Sequence, residues 1–308
     1  MRQSEFAGIY PYLISPVDAA TGQVLERPLR ALVDHLVAAG VHGLSPLGST
    51  GEFAYLTQEQ RARIVEIVVD QVGGRVPVVP GVGAYATADA IQQAERFLRL
   101  GADGIVLILQ TFFPLGRAAV ESYFRAVAEA LPCPIVLYSN PQFLGADLTP
   151  DIVESLAAVP SIQYFKEASG NTGRILTCLN RVGDRLKMFS ASAHIPVLVF
   201  RLGGVGWMAG PACLVPRESV RLYELCQAGE WDMALAEQRG LWQINELFAR
   251  YNLAACIKAG LCVQGFEVGD PIPPQEPLPA RAVEEVRAAL QRYAARSTPT
   301  TSCDSRRA

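Results

Sequence analysis

Three features of the sequence predict an α/β fold, a closed (β/α)8 barrel of the TIM type with additional C-terminal helices. Short apolar runs alternate with segments of helical periodicity, and eight such strand–helix pairs fit within roughly 220 residues, as this barrel requires. The runs are continuously apolar and rich in Val and Ile, as expected of strands that are buried on both faces. A repeated glycine pattern lies between several helices and the strands that follow them.

The predicted strands and helices follow one another in strict alternation. The strands are GIYPYLI (8–14), VHGLSPL (41–47), VPVVPG (76–81), GIVLIL (104–109), PIVLYS (134–139), IQYFKEA (162–168), LKMFS (186–190) and GVGWMAG (204–210). The helices span 27–39, 57–72, 87–100, 117–130, 150–158, 171–181, 194–201 and 216–228. In the glycine pattern, which spans 40–43, 101–104 and 203–206, the first glycine suits a left-handed helix C-cap and the second a tight connection to the next strand.

The rest of the chain predicts helices that pack on the barrel, because no linker separates a second domain. The stretches WDMALAEQRGLWQINELFARYNLAACIKAGLCVQ and AVEEVRAALQRYAAR have helical periodicity and could supply an oligomer contact. We therefore divide the chain into a barrel (1–230), a C-terminal helical extension (231–297) and a polar tail (298–308) that is predicted to be disordered.

Composition excludes several classes of protein. The net charge is −3 with both signs mixed along the chain, so we expect neither nucleic acid nor a membrane surface as a partner. The N-terminal stretch lacks a signal-peptide pattern, and no segment reaches the ~18 uninterrupted apolar residues of a membrane span. The seven cysteines form no C-x-x-C pair and lie mostly in apolar runs, so we expect no metal site and no disulfide framework. These features predict a soluble, cytoplasmic protein.

Lysine is rare, and one lysine stands where barrel enzymes keep their reactive groups. Of 27 Lys and Arg residues only Lys166, Lys187 and Lys258 are lysines. Lys166 ends the run IQYFK, at the C-terminal mouth of the predicted barrel, and shares a strand face with Tyr164. A partly desolvated amine there would be neutral and nucleophilic. A strand-end lysine that reaches solvent is the simpler interpretation of this position alone.

Two neighbouring features make chemistry at Lys166 more plausible. Tyr138 ends the preceding strand, where its phenol could shuttle protons while a carbinolamine becomes an imine. The turn Gly48-Ser49-Thr50-Gly51-Glu52 offers successive N–H groups and two hydroxyls, which suit a carboxylate. Each also has a structural interpretation, as a strand tyrosine and as an ordinary βα turn.

Other candidate sites have weaker support. Residues 81–86 with Asp103 mimic a dinucleotide-binding fingerprint, but an acid that binds ribose should follow its strand, whereas Asp103 precedes one. A Rossmann oxidoreductase is therefore disfavoured. The three histidines are not spaced with carboxylates as in a metal site or a triad. Glu167 should point toward the helix layer and is interpreted as structural.

A set of motifs in order along the chain resembles a known family. The motifs are Ser15-Pro-Val-Asp18, Gly48-Ser-Thr-Gly-Glu52, Tyr138-Ser-Asn-Pro141, Lys166-Glu-Ala-Ser169 and Gly203-Gly-Val-Gly206. Over residues 6–295 the chain is similar to the dihydrodipicolinate synthase/N-acetylneuraminate lyase family of class I lyases and aldolases that use pyruvate. The resemblance implies a Schiff base at Lys166 and proton transfer by Tyr138. It also implies a pyruvate carboxylate held by Ser49 and Thr50, near the backbone carbonyl of Met208. It further implies a homo-oligomer, usually a tetramer, that needs no metal or organic cofactor.

Two departures from the family pattern bear on the substrate. Dihydrodipicolinate synthases carry an arginine five residues after the catalytic tyrosine, and here that position is Phe143. They also carry a hydroxylated aromatic after the fourth strand, where this chain has Thr111-Phe-Phe-Pro114. The chain therefore lacks the cation that would bind an anionic aldehyde, and it lacks one proton donor.

The sequence therefore predicts a Schiff-base lyase or aldolase that acts on pyruvate or on a 2-oxo acid containing a pyruvate unit. Dehydration of a 2-keto-3-deoxy sugar acid and genuine 4-hydroxy-tetrahydrodipicolinate synthase activity are alternatives. A paralogue that binds an oxo acid without catalysis is a further alternative, although such a sensor would have no need of Lys166 and Tyr138.

Overall fold

A ring of parallel strands forms the centre of the computed structural model, which describes residues 5–192 and 194–297. Seven regular strands are hydrogen-bonded in the order β1-β7-β6-β5-β4-β3-β2, and every pair is parallel. The strands are β1 (Gly8–Pro11), β2 (Gly81–Ala84), β3 (Ile105–Leu109), β4 (Ile135–Ser139), β5 (Ile162–Glu167), β6 (Lys187–Ser190) and β7 (Gly206–Ala209). Both faces of β3 and β4 are buried throughout, as their continuous apolar runs predict.

An irregular segment, residues 42–46, closes the ring between β1 and the chain that leads into β2. We call it the closing segment. It bonds to β1 on one side and to residues 77–81 on the other, with two single bridges in place of a regular ladder. Its hydrogen bonds include His42 N to Ile9 O (2.9 Å), Ser45 N to Pro11 O (3.1 Å), Leu44 N to Pro77 O (2.9 Å) and Gly81 N to Pro46 O (2.8 Å).

Two predicted strands therefore need correction. The run 41–47 is the closing segment and not a regular strand, and the regular part of the run 76–81 begins only at its last residue, Gly81. Proline explains both differences, because Pro46, Pro77 and Pro80 have no N–H to donate to a ladder. Since residues 81–84 are themselves a strand, they cannot form the phosphate-binding loop of a dinucleotide fingerprint.

The barrel helices lie close to their predicted positions. They are α1 (Glu26–Ala38), α2 (Gln58–Val72), α3 (Thr87–Arg99), α4 (Arg117–Ala130), α5 (Pro150–Leu156), α6 (Thr172–Val182), α7 (Pro196–Arg201) and α8 (Pro216–Gln227). The late start of α7 follows from Pro196, which suits the first turn of a helix. The predicted glycine C-caps are confirmed, because Gly40, Gly101 and Gly203 have φ values of 87°, 101° and 96°.

The C-terminal extension consists of α9 (Trp231–Arg250), α10 (Leu253–Val263) and α11 (Ala280–Ser297), which pack against one another. The first predicted stretch breaks between α9 and α10, where the side chain of Asn252 accepts a hydrogen bond from Ala255 N and caps α10. No helix among the described residues is long and apolar enough to cross a membrane. The tail that was predicted to be disordered, 298–308, lies outside the described residues.

Candidate active site

Lys166 lies near the C-terminal end of β5, where its side chain is only 3% exposed. Its strand neighbours are Tyr138 in β4 and Phe189 in β6. None of the ion pairs among the described residues includes its amine. Because burial penalises the charged form, the pKa of Lys166 lies well below the usual 10.5.

The phenol of Tyr138 lies beside this amine, with the ring centroid 4.3 Å from Lys166 Nζ. Burial raises the pKa of Tyr138, and hydrogen bonds with Ser49 and Asn140 partly oppose that rise. The amide of Asn140 donates to the phenol oxygen (3.0 Å), and the hydroxyl of Ser49 lies 3.4 Å from it. Since Asn140 occupies one lone pair of the oxygen, the phenol proton is directed toward Ser49 or the open cavity.

The turn formed by residues 48–52 borders the same cavity through Ser49 and Thr50. The N–H groups of Gly51 and Glu52 bond within the turn, to Gly48 O (3.0 Å) and Ser49 O (3.1 Å). Those of Ser49 and Thr50 donate to no acceptor in the described chain. Ser15, from the first motif, supports the turn by donating its hydroxyl to Gly51 O (2.6 Å). The turn can therefore hold a carboxylate through two N–H groups and two hydroxyls.

A buried ion pair fixes the far end of this turn. Glu52 has a left-handed backbone (φ 53°), and its carboxylate lies 2.6 Å from the amine of Lys258 in α10. The amine also donates to Asp270 O (2.8 Å), and the other carboxylate oxygen accepts from Ile272 N (2.6 Å). The sequence placed Lys258 in a C-terminal helix but gave no sign of this partner, since the two residues lie in distant segments.

Tyr12 is a site residue that sequence reasoning missed. It directly follows β1, and its ring centroid lies 3.5 Å from Lys166 Nζ, closer than that of Tyr138. Burial raises the pKa of its hydroxyl well above 10, and a side-chain hydrogen bond with Ser45 partly opposes that rise. Gly48 leaves room for the ring, because a Cβ at that position would lie 2.5 Å from it. The available signal was its place at the C-terminal end of the first strand, the edge where the other site residues gather.

A cavity of about 460 Å³ opens above Lys166. Phe143 lies at its rim and is 62% exposed. Part of its wall comes from the C-terminal extension, which the sequence suggested only as an oligomer contact. Its lining includes Ser49, Thr50, Asn140, Gln142 and Ser192 from the barrel and Trp242, Asn245, Glu246, Phe248 and Leu253 from α9 and α10.

Met208, the Phe112–Phe113 pair and Arg117 are not among the residues that line this cavity. Met208 is fully buried in β7 opposite Tyr10 and is not among the lining residues. Phe112 and Phe113 are 82% and 73% exposed. Arg117 pairs with Glu121 on α4 at 2.6 Å and does not replace the arginine missing at position 143. Lys166 is the one basic side chain among the lining residues of the described structure.

Behind the site, Glu167 points into the helix layer, as strand alternation predicts. Its carboxylate is fully buried, accepts from Ser169 N (2.9 Å) and lies 3.4 Å from Arg174 Nε. His194 Nε2 lies 3.2 Å from the other oxygen, a contact between sequence-distant residues that spacing could not reveal. Within the described ranges, no cluster of His, Cys, Asp and Glu side chains could hold a metal ion.

Proteins of known sequence are similar to this chain over most of its length. A sequence model of the dihydrodipicolinate synthetase family matches residues 5–293. A 4-hydroxy-tetrahydrodipicolinate synthase of Methanospirillum hungatei is 36% identical over 231 residues, which are 74% of this chain and 79% of that enzyme. A DapA-like lyase of Halobacterium salinarum is 34% identical over 266 residues, which are 85% of this chain and 86% of that protein.

Solved structures agree with these sequence matches. A structure described as a dihydrodipicolinate synthetase from Pseudomonas aeruginosa superposes with a TM-score of 0.91 at 28% identity, covering 94% of this chain and 100% of that one. YagE, a prophage protein of E. coli K12 from the dihydrodipicolinic acid synthase family, was crystallised with pyruvate. It superposes with a TM-score of 0.87 at 28% identity over 94% of this chain and 99% of its own. This chain therefore belongs to the dihydrodipicolinate synthetase family of (β/α)8-barrel lyases.

Proposed function

We propose that the protein is a class I lyase or aldolase that binds pyruvate, or the pyruvate unit of a larger 2-oxo acid, as a Schiff base on Lys166. The observation that carries this proposal is a buried amine at the barrel mouth, beside the phenol of Tyr138 and with a pKa that burial lowers. A pyruvate complex of the related YagE supports the substrate class.

The side chains divide the work as follows. Lys166 Nζ attacks the C2 carbonyl carbon, and the resulting carbinolamine loses water to form an iminium. Tyr138 delivers the proton that the departing hydroxyl needs and exchanges protons with the cavity in the later steps. The N–H groups and hydroxyls of Ser49 and Thr50 hold the carboxylate. In aldol cleavage the C4 hydroxyl loses its proton, and the electron pair of the C3–C4 bond moves to the iminium to give an enamine and an aldehyde. In condensation the iminium loses a C3 proton, and the resulting enamine attacks the aldehyde carbon, whose oxygen takes up a proton.

A dehydratase that acts on a 2-keto-3-deoxy sugar acid is the second candidate. The observation that favours it is the polar lining above Lys166, where the amides of Asn140, Gln142 and Asn245 and the carboxylate of Glu246 suit the hydroxyls of a sugar chain. Genuine 4-hydroxy-tetrahydrodipicolinate synthase activity is less well supported, since the lining has no second cation for an anionic aldehyde.

Borohydride trapping tests the central step. Incubation with pyruvate and reduction should add one pyruvyl-derived group to the peptide that holds Lys166, and Lys166→Met should remove the label. Labelling at Lys187 or Lys258, or no labelling at all, would contradict the proposal. A turnover screen of 2-oxo acids then separates an enzyme from an oxo-acid sensor.

We also propose a cytoplasmic homo-oligomer, a tetramer or a dimer. Five buried thiols and the exposed thiol of Cys262 suit a reducing compartment. The exposed aromatic side chains of Tyr85, Phe112 and Phe113 suit a contact between subunits.

A further inference from the structure

Schiff-base formation creates a charge in a place that strongly disfavours one. The reaction consumes a neutral amine, a carbonyl and one proton, and yields water and an iminium whose nitrogen is positive. Lys166 is almost fully buried, and its carboxylate neighbour in sequence, Glu167, is turned into the helix layer. The substrate carboxylate held by Ser49 and Thr50 offsets part of this charge, but burial still favours loss of the iminium proton. A neutral imine is a poor electron sink, so the site needs something that keeps the nitrogen charged.

Aromatic faces are the groups that the structure places against this nitrogen. Lys166 Nζ lies over the ring of Tyr12, 3.5 Å from its centroid, and 4.3 Å from the centroid of Tyr138. Both rings belong to phenols, and burial raises the pKa of each. The neighbour on β6, Phe189, is apolar.

The surroundings hold the Tyr12 ring in place through contacts other than its hydroxyl. The backbone of Tyr12 is tied on two sides, by Tyr12 N to Ala209 O (3.1 Å) and by the Cys213 thiol to Tyr12 O (3.1 Å). Gly48 supplies the space for the ring. The amine of Lys166 lies over the ring, 3.5 Å from its centroid, so the contact is made by the ring face.

We propose that Tyr12 is a further catalytic residue, whose ring face stabilises the Lys166 iminium through a cation–π interaction. The inference rests on the proposed Schiff base and adds to it the group that holds the charge. The ring face would stabilise a positive charge on either the free ammonium or the iminium. The free ammonium can avoid the cost of burial by losing a proton. The iminium must keep its charge in order to draw electrons from C3.

Exchange of the pyruvate methyl protons with D2O, followed by NMR, reports iminium and enamine formation without the second substrate. Tyr12→Phe keeps the ring and should exchange within about threefold of the wild type. Tyr12→Leu removes the ring and should exchange about 30-fold more slowly, the rate equivalent of a desolvated cation–π contact. The pKa of Lys166, measured from the pH dependence of its reaction with bromopyruvate, should fall in Tyr12→Leu and not in Tyr12→Phe.

A series of fluorinated phenylalanines at position 12 separates the effect of ring charge from the effect of packing. This test can be made even if Tyr12→Leu does not fold. Phenylalanine with zero, one, three or five fluorines at position 12 weakens the negative face of the ring in steps with little change of shape. The logarithm of the exchange rate should fall steadily along the series. A flat series, in protein that still traps pyruvate on Lys166, would overturn the role of Tyr12 and leave the Schiff base intact. Absence of trapping in the wild type would refute both proposals.

Discussion

Burial changes the chemistry of Lys166 and Tyr138 in opposite directions. The pKa of the amine falls because its charged form is the ammonium, and the pKa of the phenol rises because its charged form is the phenolate. Both shifts widen the pH range in which the amine and the phenol are uncharged together. One physical cause, burial at the barrel mouth, thus favours the uncharged form of both partners in the proposed imine formation.

The pH dependence of trapping follows from the direction of the Lys166 shift. An amine is nucleophilic above its pKa, and this pKa lies well below the usual 10.5. We expect the trapping rate to fall as the pH drops through the lowered pKa, and to stay flat as the pH approaches 10.5. A rate that keeps rising up to pH 10.5, as for a solvated lysine, would show that the amine is not desolvated.

Tyr138→Phe should keep the fold and slow the exchange of pyruvate methyl protons by roughly 10²–10⁴-fold, the usual effect of losing a positioned acid–base group. The matched control is Tyr164→Phe, since Tyr164 is also buried on β5 and its hydroxyl accepts from Phe6 N, away from Lys166. The control should retain activity at some cost in stability. An unchanged rate in Tyr138→Phe would assign proton transfer to another group or to water.

The lack of a positive charge at Phe143 predicts that an anionic aldehyde is a poor substrate. A carboxylate stripped of water needs a cation, and the lining offers none beyond Lys166. We expect kcat/KM for aspartate semialdehyde, with pyruvate as partner, far below the ~10⁴ M⁻¹s⁻¹ of a slow working enzyme. Phe143→Arg should raise it, and Phe143→Leu, the matched control, should not. Efficient turnover by the wild type would refute the inference.

The roles of single residues were predictable only where a motif or a strand end carried the signal. Lys166, Tyr138, Ser49 and Thr50 meet around one cavity as predicted. Tyr12 lies in the apolar run 8–14, whose pattern indicates only a buried strand. The wall from α9 and α10 was also missed, because apolar spacing shows that a helix has a buried face but not what that face covers.

At the level of helices and turns, the Glu52–Lys258 pair joins the turn formed by residues 48–52 to α10. Both side chains are buried, and removing one partner leaves the other as an unpaired charge. Lys258→Met should therefore lower the free energy of unfolding by roughly 3–5 kcal/mol. Denaturant titration measures it.

The matched variant is Lys258→Met combined with Glu52→Gln, which removes both charges and keeps a carbonyl oxygen for Ile272 N. This double variant should recover much of the lost stability. Equal stability of the two variants would contradict the idea that the unpaired carboxylate causes the loss.

Helices were easier to predict than strands, for a local reason. Helix periodicity and end signals lie within each segment, so the bounds of α2, α3 and α4 agree with the prediction to within one residue. A strand also depends on its neighbours, and the proline-interrupted runs 41–47 and 76–81 complete the ring through isolated hydrogen bonds. The sequence could indicate that eight segments line the barrel, but not which of them form regular ladders.

We expect the protein to form an oligomer in which the exposed aromatic side chains contact a second subunit. Phe113→Glu places a charge in that surface and should shift sedimentation toward smaller species. Met233→Glu on α9 is the control, since Met233 is also exposed, at 51%, but lies apart from the aromatic cluster in sequence. A wild type that sediments as a monomer, or a Phe113→Glu variant of unchanged mass, would refute this interface.

The pairing of β1 with β7 has a consequence for how the protein is made. Gly8 pairs with Gly206 and Ile9 with Trp207, so β1 cannot form this pairing until β7 has been synthesised. Until then a nascent chain carries β1 with an unpaired edge, although its local helices can already form. Ring closure is therefore a late, long-range event that translation delays. The cell must keep the emerging chain from pairing with other strands until the ribosome has passed residue 209.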